Sequence, residues 1–138
     1  MRWISVFFAF AFASSALAQA SFPSKPVTMV VGFEPGGGTD TVARIVAKTM
    51  GENLGQQVLV ENRAGAGGNI AVDYVAKSAP DGYTVVLANV GALAVNPHLI
   101  KTPYDPLRDL APITMAVVFA NVLVVQPSLA VSSRASFT

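Results

Sequence analysis

Short, nearly unbroken apolar runs alternate along the chain with segments in which apolar residues recur every three or four positions. Runs of the first kind are typical of strands buried on both faces of a parallel sheet, and the second spacing is typical of amphipathic helices. The pattern predicts strands at 27–33, 57–61 and 84–88, with helices after the first two. The order β-α-β-α-β indicates right-handed crossovers and an α/β fold with a mainly parallel sheet flanked by helices.

The two helices also carry predicted boundaries. Thr39 or Asp40 is suited to cap the first helix, because these side chains accept from the free amides of a first turn. The helix is predicted to close between Gly51 and Gly55, and Asn69 is predicted to cap the second helix over about 70–78. Apolar and polar positions separate on the first helix, with Val42, Ile45, Val46, Met50 and Leu54 on one side and Arg44, Lys48 and Glu52 on the other.

The pattern is weaker after Asn89. A short helix is predicted at 92–96 and two further strands at 113–119 and 122–125, and the prolines at 97, 103, 106 and 112 interrupt the segment between them. Residues 132–138 resemble the cap and first turn of another helix.

The first twenty residues have the features of a secretory signal peptide. Arg2 precedes an apolar run over 3–13, and small residues with A-x-A spacing follow, which predicts cleavage after Ala18 or Ala20. A membrane span needs about 20 apolar residues, so the run is too short to cross a bilayer. The alternative is an uncleaved anchor, and cleavage predicts an exported product.

Composition narrows the function classes. The chain has 138 residues, 52% hydrophobic and 12% charged, with a formal net charge of +1. It is too apolar for a disordered segment and lacks the basic excess of a nucleic-acid binder. The absence of cysteine excludes thiolate metal sites and cysteine nucleophiles. The G-x-G-x-x-G frame fails at Thr41 and Ile70, so no nucleotide or other cofactor is expected.

Candidate chemistry lies in the loops after the strands, where open α/β sheets bind ligands. The loop at 33–40 carries three glycines before a helix N-terminus, a combination that favours an anion such as a carboxylate. The loops at 62–69 and 89–92 supply further small residues and amide side chains. The alternative for each loop is a plain tight turn.

The sequence contains few features of an enzyme active site. His98 is the single histidine, and no nucleophile elbow or H-E-x-x-H motif accompanies it. We therefore expect a structural or surface histidine, no catalytic residue and no metal site. Glu34 is expected to face solvent, because its charge would repel a bound anion.

Six motifs occur in an order that resembles one family: FPSKP at 22–26, FEPGGGTD at 33–40, VENRAGAGGN at 60–69, APDGYT at 79–84, NPHL at 96–99 and YDP at 104–106. The chain is similar to the Bug family, the TctC-like substrate-binding receptors of tripartite tricarboxylate transporters. The resemblance runs from Phe22 to about Ser128.

The resemblance implies a periplasmic receptor with a type-II periplasmic-binding-protein-like fold, two α/β lobes around a cleft. Such a receptor passes a di- or tricarboxylate or an acidic amino acid to membrane permease subunits. The resemblance places the following residues beside the ligand: Phe33, Pro35, Gly36, Gly37, Gly38, Thr39 and Asp40, with Asn89 and Gly91 as further candidates. The loop from Gly65 to Asn69 is implied to be architectural, and relatives often carry an uncharged residue at the position of Glu34.

The resemblance also implies that residues 21–138 form an incomplete N-terminal lobe, because the family has a second lobe. Two alternatives to a working receptor remain at this point. One is a truncated remnant of a receptor gene that binds nothing, and the other is an enzyme on an α/β scaffold.

Overall fold

A single parallel sheet organises the protein, whose computed structural model describes residues 22–120 together with 124, 126 and 128. Its strands are β1 (Val27–Val31), β2 (Val58–Asn62) and β3 (Thr84–Leu87), in the order β2-β1-β3. Val27 pairs with Val58, and Thr28 pairs with Thr84. The predicted parallel sheet is confirmed, although β1 ends two residues early because the chain bends at 32–33.

In the part of the chain that the structure describes, three helices accompany the strands: α1 (Gly38–Leu54), α2 (Asn69–Ala76) and α3 (Asn96–Leu99). A 3₁₀ turn over Ala66–Gly68 precedes α2, and a π-helical turn over Gly91–Val95 precedes α3. The short helix predicted at 92–96 is thus a π-helical turn that continues into α3. Pro97 lies in the first turn of α3, where its missing amide hydrogen has little cost.

The predicted N-caps of both helices were wrong, whereas α1 ends at Leu54 with Gly55 as its C-cap, as the sequence predicted. Gly37 caps α1 and Gly68 caps α2, and neither makes a side-chain capping hydrogen bond. Asp40 bonds back to the amide of Gly36, and Asn69 accepts from residues far along the chain. Tertiary contacts therefore engage the two side chains that local pattern assigned to capping.

The sheet is covered on both faces. On one face Met29 and Val31 pack against Ala43 and Ala47 of α1, and on the other Val86 packs against a cluster of Val72, Ala92 and Tyr104. The predicted polar side of α1, Arg44, Lys48 and Glu52, is exposed. Ile45 was placed on the apolar side but is 63% exposed, because the buried stripe of α1 is centred on the small alanines.

The strand predicted at 113–119 is not formed. Residues 111–120 contain no regular structure and are exposed, with Ile113 80% and Val118 75% accessible. β2 and β3 occupy both sides of β1, so a fourth strand could join only an outer edge, and this segment pairs with neither.

Other predicted segments lie wholly or largely outside the described residues. Of the strand predicted at 122–125 only Val124 is described, and it is exposed and not in a strand. The signal peptide at 1–20 and the helix start at 132–138 lie outside the described residues. Within the described part of the chain, the helices are too short or too polar to cross a bilayer.

Candidate functional site

The candidate site lies between β1 and β3, at the point where the connections between strands turn to opposite sides of the sheet. β2 lies on one side of β1 and β3 on the other, so the connections after β1 and β3 leave the sheet on opposite sides of a crevice. The loop at 32–37 borders this crevice on one side and residues 88–90 border it on the other. Ligands in open α/β sheets bind at such a point, outside the carboxyl ends of the strands.

The three loops predicted at this edge touch one another around Gly68. A methyl group added at Gly32 would lie 2.6 Å from the Cα atom of Gly68. One added at Gly68 would lie 3.1 Å from Asn89 Oδ1 and 3.8 Å from the Phe33 ring. Gly68 also has a φ of 99°, a value that favours glycine. The missing side chains at Gly32 and Gly68 therefore let the loops after all three strands meet.

The loop at 62–69 reaches this contact through left-handed backbone. Gly65, Ala66, Gly67 and Gly68 all have positive φ, with Ala66 at 47°. Gly68 and Asn69 are buried. The loop at 62–69 therefore has a structural role and supports the crevice from behind.

The first loop is open to solvent. Residues 34–38 are exposed, and a methyl group added at Gly36 or Gly38 would meet no atom within 4 Å. The amides of Gly37, Gly38 and Thr39 make no hydrogen bond to any residue that the structure describes. These amides form the N-terminus of α1, where unpaired N–H groups carry partial positive charge. The loop can therefore donate several hydrogen bonds to an anion.

The carboxylate of Asp40, in contrast, accepts all of its hydrogen bonds from other groups of the same chain. Its side chain is 3% exposed and accepts from the Gly36 amide (2.9 Å), from Arg44 Nε (2.8 Å) and Nη2 (3.0 Å), and from Asn62 Nδ2 (2.9 Å). The Arg44 guanidinium first, then the Gly36 amide and Asn62, hold the pKa of Asp40 well below its usual range. The carboxylate is thus ionised and turned into the protein, beneath the loop.

Asn62 is a site residue that sequence reasoning missed. From the end of β2 its Nδ2 donates to the Phe33 carbonyl oxygen (3.0 Å) as well as to Asp40. No local signal marks a partner 22 residues away. Arg44 could have been found, because Asp and Arg at i and i+4 on a helix face are common partners.

The third loop is held by its own side chain. Asn89 Oδ1 accepts from the Ala92 amide (3.1 Å), which fixes the start of the π-helical turn at Gly91. Asn89 is half-buried and faces Gly68 across the crevice. Asn89 therefore lies beside the second loop, whereas a methyl group added at Gly91 would have atoms of Asn89 as its nearest neighbours.

A buried polar network supports these loops from behind. The Tyr104 hydroxyl donates to the Ala92 carbonyl oxygen (2.7 Å) and lies 3.0 Å from Asn69 Oδ1, which also accepts from Asn96 Nδ2 (2.8 Å). Burial, with a smaller effect of the Asp73 carboxylate, raises the pKa of Tyr104. Three of the sequence motifs thus meet in one network.

The remaining candidates lie at the surface. Glu34 is exposed in the first loop, as expected, and His98 is exposed in α3. Within the described residues no three His, Cys, Asp or Glu side chains are grouped as metal ligands.

The chain matches the family model for the tripartite tricarboxylate transporter family receptor over residues 42–135. It is 45% identical to the protein BugT of Bordetella pertussis over 132 residues, which is 94% of this chain and 40% of BugT. It is 47% identical to a protein of Agrobacterium vitis encoded in the TAR-I ttuE-ttuC' intergenic region, over 70% of this chain and 28% of that protein. The chain thus spans two fifths or less of the length of these relatives.

Solved structures agree with this relationship. A periplasmic transporter is 46% identical with a TM-score of 0.60, over 63% of this chain and 30% of that one. MatC of Rhodopseudomonas palustris with bound malate is 41% identical with a TM-score of 0.57, over 64% of this chain and 30% of MatC. An R. palustris protein with adipate is 42% identical with a TM-score of 0.58, over 62% of this chain and 29% of that protein.

These matches confirm the predicted α/β fold as part of a periplasmic-binding-protein-like domain. They also confirm the family that the sequence motifs indicated. The chain belongs to the receptor family of tripartite tricarboxylate transporters.

Proposed function

We propose that the chain captures a small carboxylate at the loop between β1 and α1 and presents it to membrane permease subunits. The observation that carries this proposal is the set of unpaired amides of Gly37, Gly38 and Thr39 beside the crevice of the sheet. Two similar proteins were determined with malate and with adipate, which are both dicarboxylates. A di- or tricarboxylate or an acidic amino acid is therefore the proposed ligand class.

The amides, and not a cationic side chain, supply the attraction for the anion in this proposal. Arg44 is the cation nearest the loop along the chain, and the buried carboxylate of Asp40 already engages it. Pro35 and Gly36 leave the approach open, while Phe33 and Asn89 border the crevice. Backbone donors at a helix N-terminus bind carboxylates without a neutralising side chain.

The proposed ligand residues are those that the resemblance named. They are Phe33, Pro35, Gly36, Gly37, Gly38, Thr39, Asn89 and Gly91 around the crevice, with Asp40 beneath the loop.

The proposed site of action is the periplasm, reached after cleavage of the signal peptide behind Ala18 or Ala20. Export of a tagged chain followed by intact mass measurement tests this part of the proposal. A product that begins at Gln19 or Ser21 supports it, and a chain retained with its full N-terminus contradicts it.

Titration calorimetry of the processed chain with malate, adipate, citrate and glutamate tests ligand capture directly. We expect heat of binding with at least one of these acids. A folded chain that gives neither heat nor a thermal shift with any of them contradicts capture by this chain.

The variant Gly38→Asp locates the site. Position 38 is open and helical, so an Asp side chain fits there, and its charge suits the first turn of α1. The added carboxylate should repel a bound acid and abolish the heat, whereas Gly38→Asn, of equal size and uncharged, should retain most of it. Equal loss in both variants would place the effect on shape, and equal binding would place the site elsewhere.

A further inference from the structure

The loop at 33–37 is fixed at its two ends and free in its middle. Asn62 Nδ2 holds the Phe33 carbonyl oxygen at 3.0 Å, and Asp40 Oδ2 holds the Gly36 amide at 2.9 Å. A third hydrogen bond, from Asn62 Nδ2 to Asp40 Oδ1 at 2.9 Å, joins the two holding side chains. The holding groups come from β2 and α1, which are both packed on β1.

We propose that Asp40 and Asn62 are positioning residues that hold this loop so that the amides of residues 37–39 stay free for a ligand. This inference rests on the proposed function in one respect, the identity of the ligand. Its geometric content, the fixed loop, is independent of any ligand.

The hydrogen-bond inventory of Asp40 supports a positioning role. A carboxylate offers about four acceptor sites, and four donors from Gly36, Arg44 and Asn62 fill them. The side chain is buried, and a ligand carboxylate brought against it would be repelled. Asp40 therefore acts on a ligand through the loop and not by contact.

Among the described residues no other side chain forms a hydrogen bond to the backbone of residues 33–36, and the Phe33 ring, which packs against the core beside β1 and α1, holds only the first residue of the loop. Gly36, Gly37 and Gly38 contribute no side chains, and glycine-rich backbone has many accessible conformations. The Gly37 carbonyl oxygen is used by the Thr41 amide and hydroxyl, at 2.9 and 3.0 Å, which continues α1 but does not restrain residues 34–36. Loss of the two holding side chains should therefore release the loop while α1 stays formed.

Arg44 offers the matched control. It makes two hydrogen bonds to the same carboxylate from the exposed side of α1, a long one to Asn62 Oδ1 at 3.4 Å, and none to the backbone of residues 33–37. If Asp40 serves only as a helix ion-pair partner, Arg44→Gln and Asp40→Asn should have the same effects. If Asp40 positions the loop, only Asp40→Asn should disturb it, because an amide has one acceptor oxygen in place of two.

Amide hydrogen exchange and chemical shifts of the labelled, processed chain test the geometry without ligand. In Asp40→Asn we expect the Gly36 amide to exchange about tenfold faster, with shifted resonances at 36–39 and unchanged ones in the middle of α1. Asn62→Ala should disturb the same loop from its other end. Arg44→Gln should leave the Gly36 exchange rate within about twofold of the wild type, the change expected for loss of an exposed ion pair.

Titration with malate and adipate then separates this inference from the proposed function. If the wild type binds, both loop variants should bind about tenfold more weakly at unchanged helix content, while Arg44→Gln binds within about threefold. If the wild type binds neither these acids nor citrate or glutamate, the proposed function fails, and loop exchange alone decides the positioning role. Unchanged Gly36 exchange in Asp40→Asn, or an equal change in Arg44→Gln, overturns the inference.

Discussion

The backbone amide of Ser24 donates to the Tyr83 hydroxyl at 2.9 Å, across 59 residues of chain. The Phe22 ring packs edge-on against the Tyr83 ring at 5.0 Å between centroids, and Lys25 Nζ lies 4.3 Å above the Tyr83 ring. Residues of the FPSKP and APDGYT motifs therefore contact one another directly. This contact fastens the start of the described chain to the turn before β3.

Tyr83→Phe should loosen this N-terminal contact without unfolding the sheet. The Ser24 amide loses its acceptor, so the free energy of unfolding should fall by about 1 kcal/mol or less. Limited proteolysis and amide exchange over 22–25 should both accelerate.

Lys25→Gln separates charge from the hydrogen bond, because it removes the exposed ion pair with Asp81 at 3.6 Å and the cation above the Tyr83 ring but keeps the hydrogen bond from Ser24. Exposed pairs contribute little, so its exchange rates should stay close to wild type. An equal effect of both variants would assign the contact to charge.

Gly32→Ala should destabilise the whole domain. The new methyl group would lie 2.6 Å from the backbone of Gly68, so β1 and the second loop must separate. We expect the free energy of unfolding to fall by about 3 kcal/mol in urea denaturation, the upper range for overpacking. Gly38→Ala, which adds the same group in open space, should change it by about 0.5 kcal/mol or less. Similar values for the two variants would show that the loops do not meet as described.

Tyr104→Phe should remove the centre of the buried polar network. The Ala92 carbonyl oxygen loses its donor and Asn69 loses one of two contacts, so the free energy of unfolding should fall by about 1–2 kcal/mol. Tyr74→Phe is the matched control, because the Tyr74 side chain is 38% exposed. Chemical denaturation measures both, and a loss in the control as large as in Tyr104→Phe would contradict the network.

Asp40 should make stability depend on acid pH. Its pKa in the folded chain lies below the unfolded value of about 3.9, so its stabilising effect is complete above that value and declines as the pH falls below it. The difference in free energy of unfolding between wild type and Asp40→Asn should therefore be constant above about pH 5 and shrink below about pH 4. Urea denaturation of both proteins between pH 2.5 and 7 checks this, and the comparison cancels the other acidic groups. A difference that stays constant to the lowest pH would contradict the assignment.

The exposed apolar segment at 111–120 should promote self-association. Ile113 and Val118 are 80% and 75% accessible, and contiguous exposed apolar surface favours aggregation. Replacing both with Lys should raise solubility, measured by light scattering, with about 0.5 kcal/mol or less of change in stability. A large loss of stability would show that these side chains are buried in solution.

The sheet and the polar side of α1 were predictable because both depend on local periodicity. The same periodicity failed at 113–119, since an apolar run does not reveal whether a partner strand is available. Gly68 could not be identified by sequence, because a close approach to Gly32 is a tertiary relationship.

The prediction of the helix N-caps failed for a related reason. Asp40 and Asn69 have side chains suited to helix starts, but partners at Asn62 and Tyr104 engage them instead. The spacing of Asp40 and Arg44 was available in the sequence, whereas the carboxylate's hold on the loop was not.

The central position of β1 also sets the pace at which the fold can form. Val27 pairs with Val58 and Thr28 pairs with Thr84, so both pairs of strands join residues that are far apart in the chain. Neither pair of strands can therefore nucleate from residues that are close in sequence. Parallel pairing between distant segments is intrinsically slow, because loop-closure entropy is lost before the contacts compensate for it. During synthesis the sheet cannot be complete until Leu87 has left the ribosome. Such a delay keeps a nascent chain unfolded for longer, and an unfolded chain is the state that the proposed export requires.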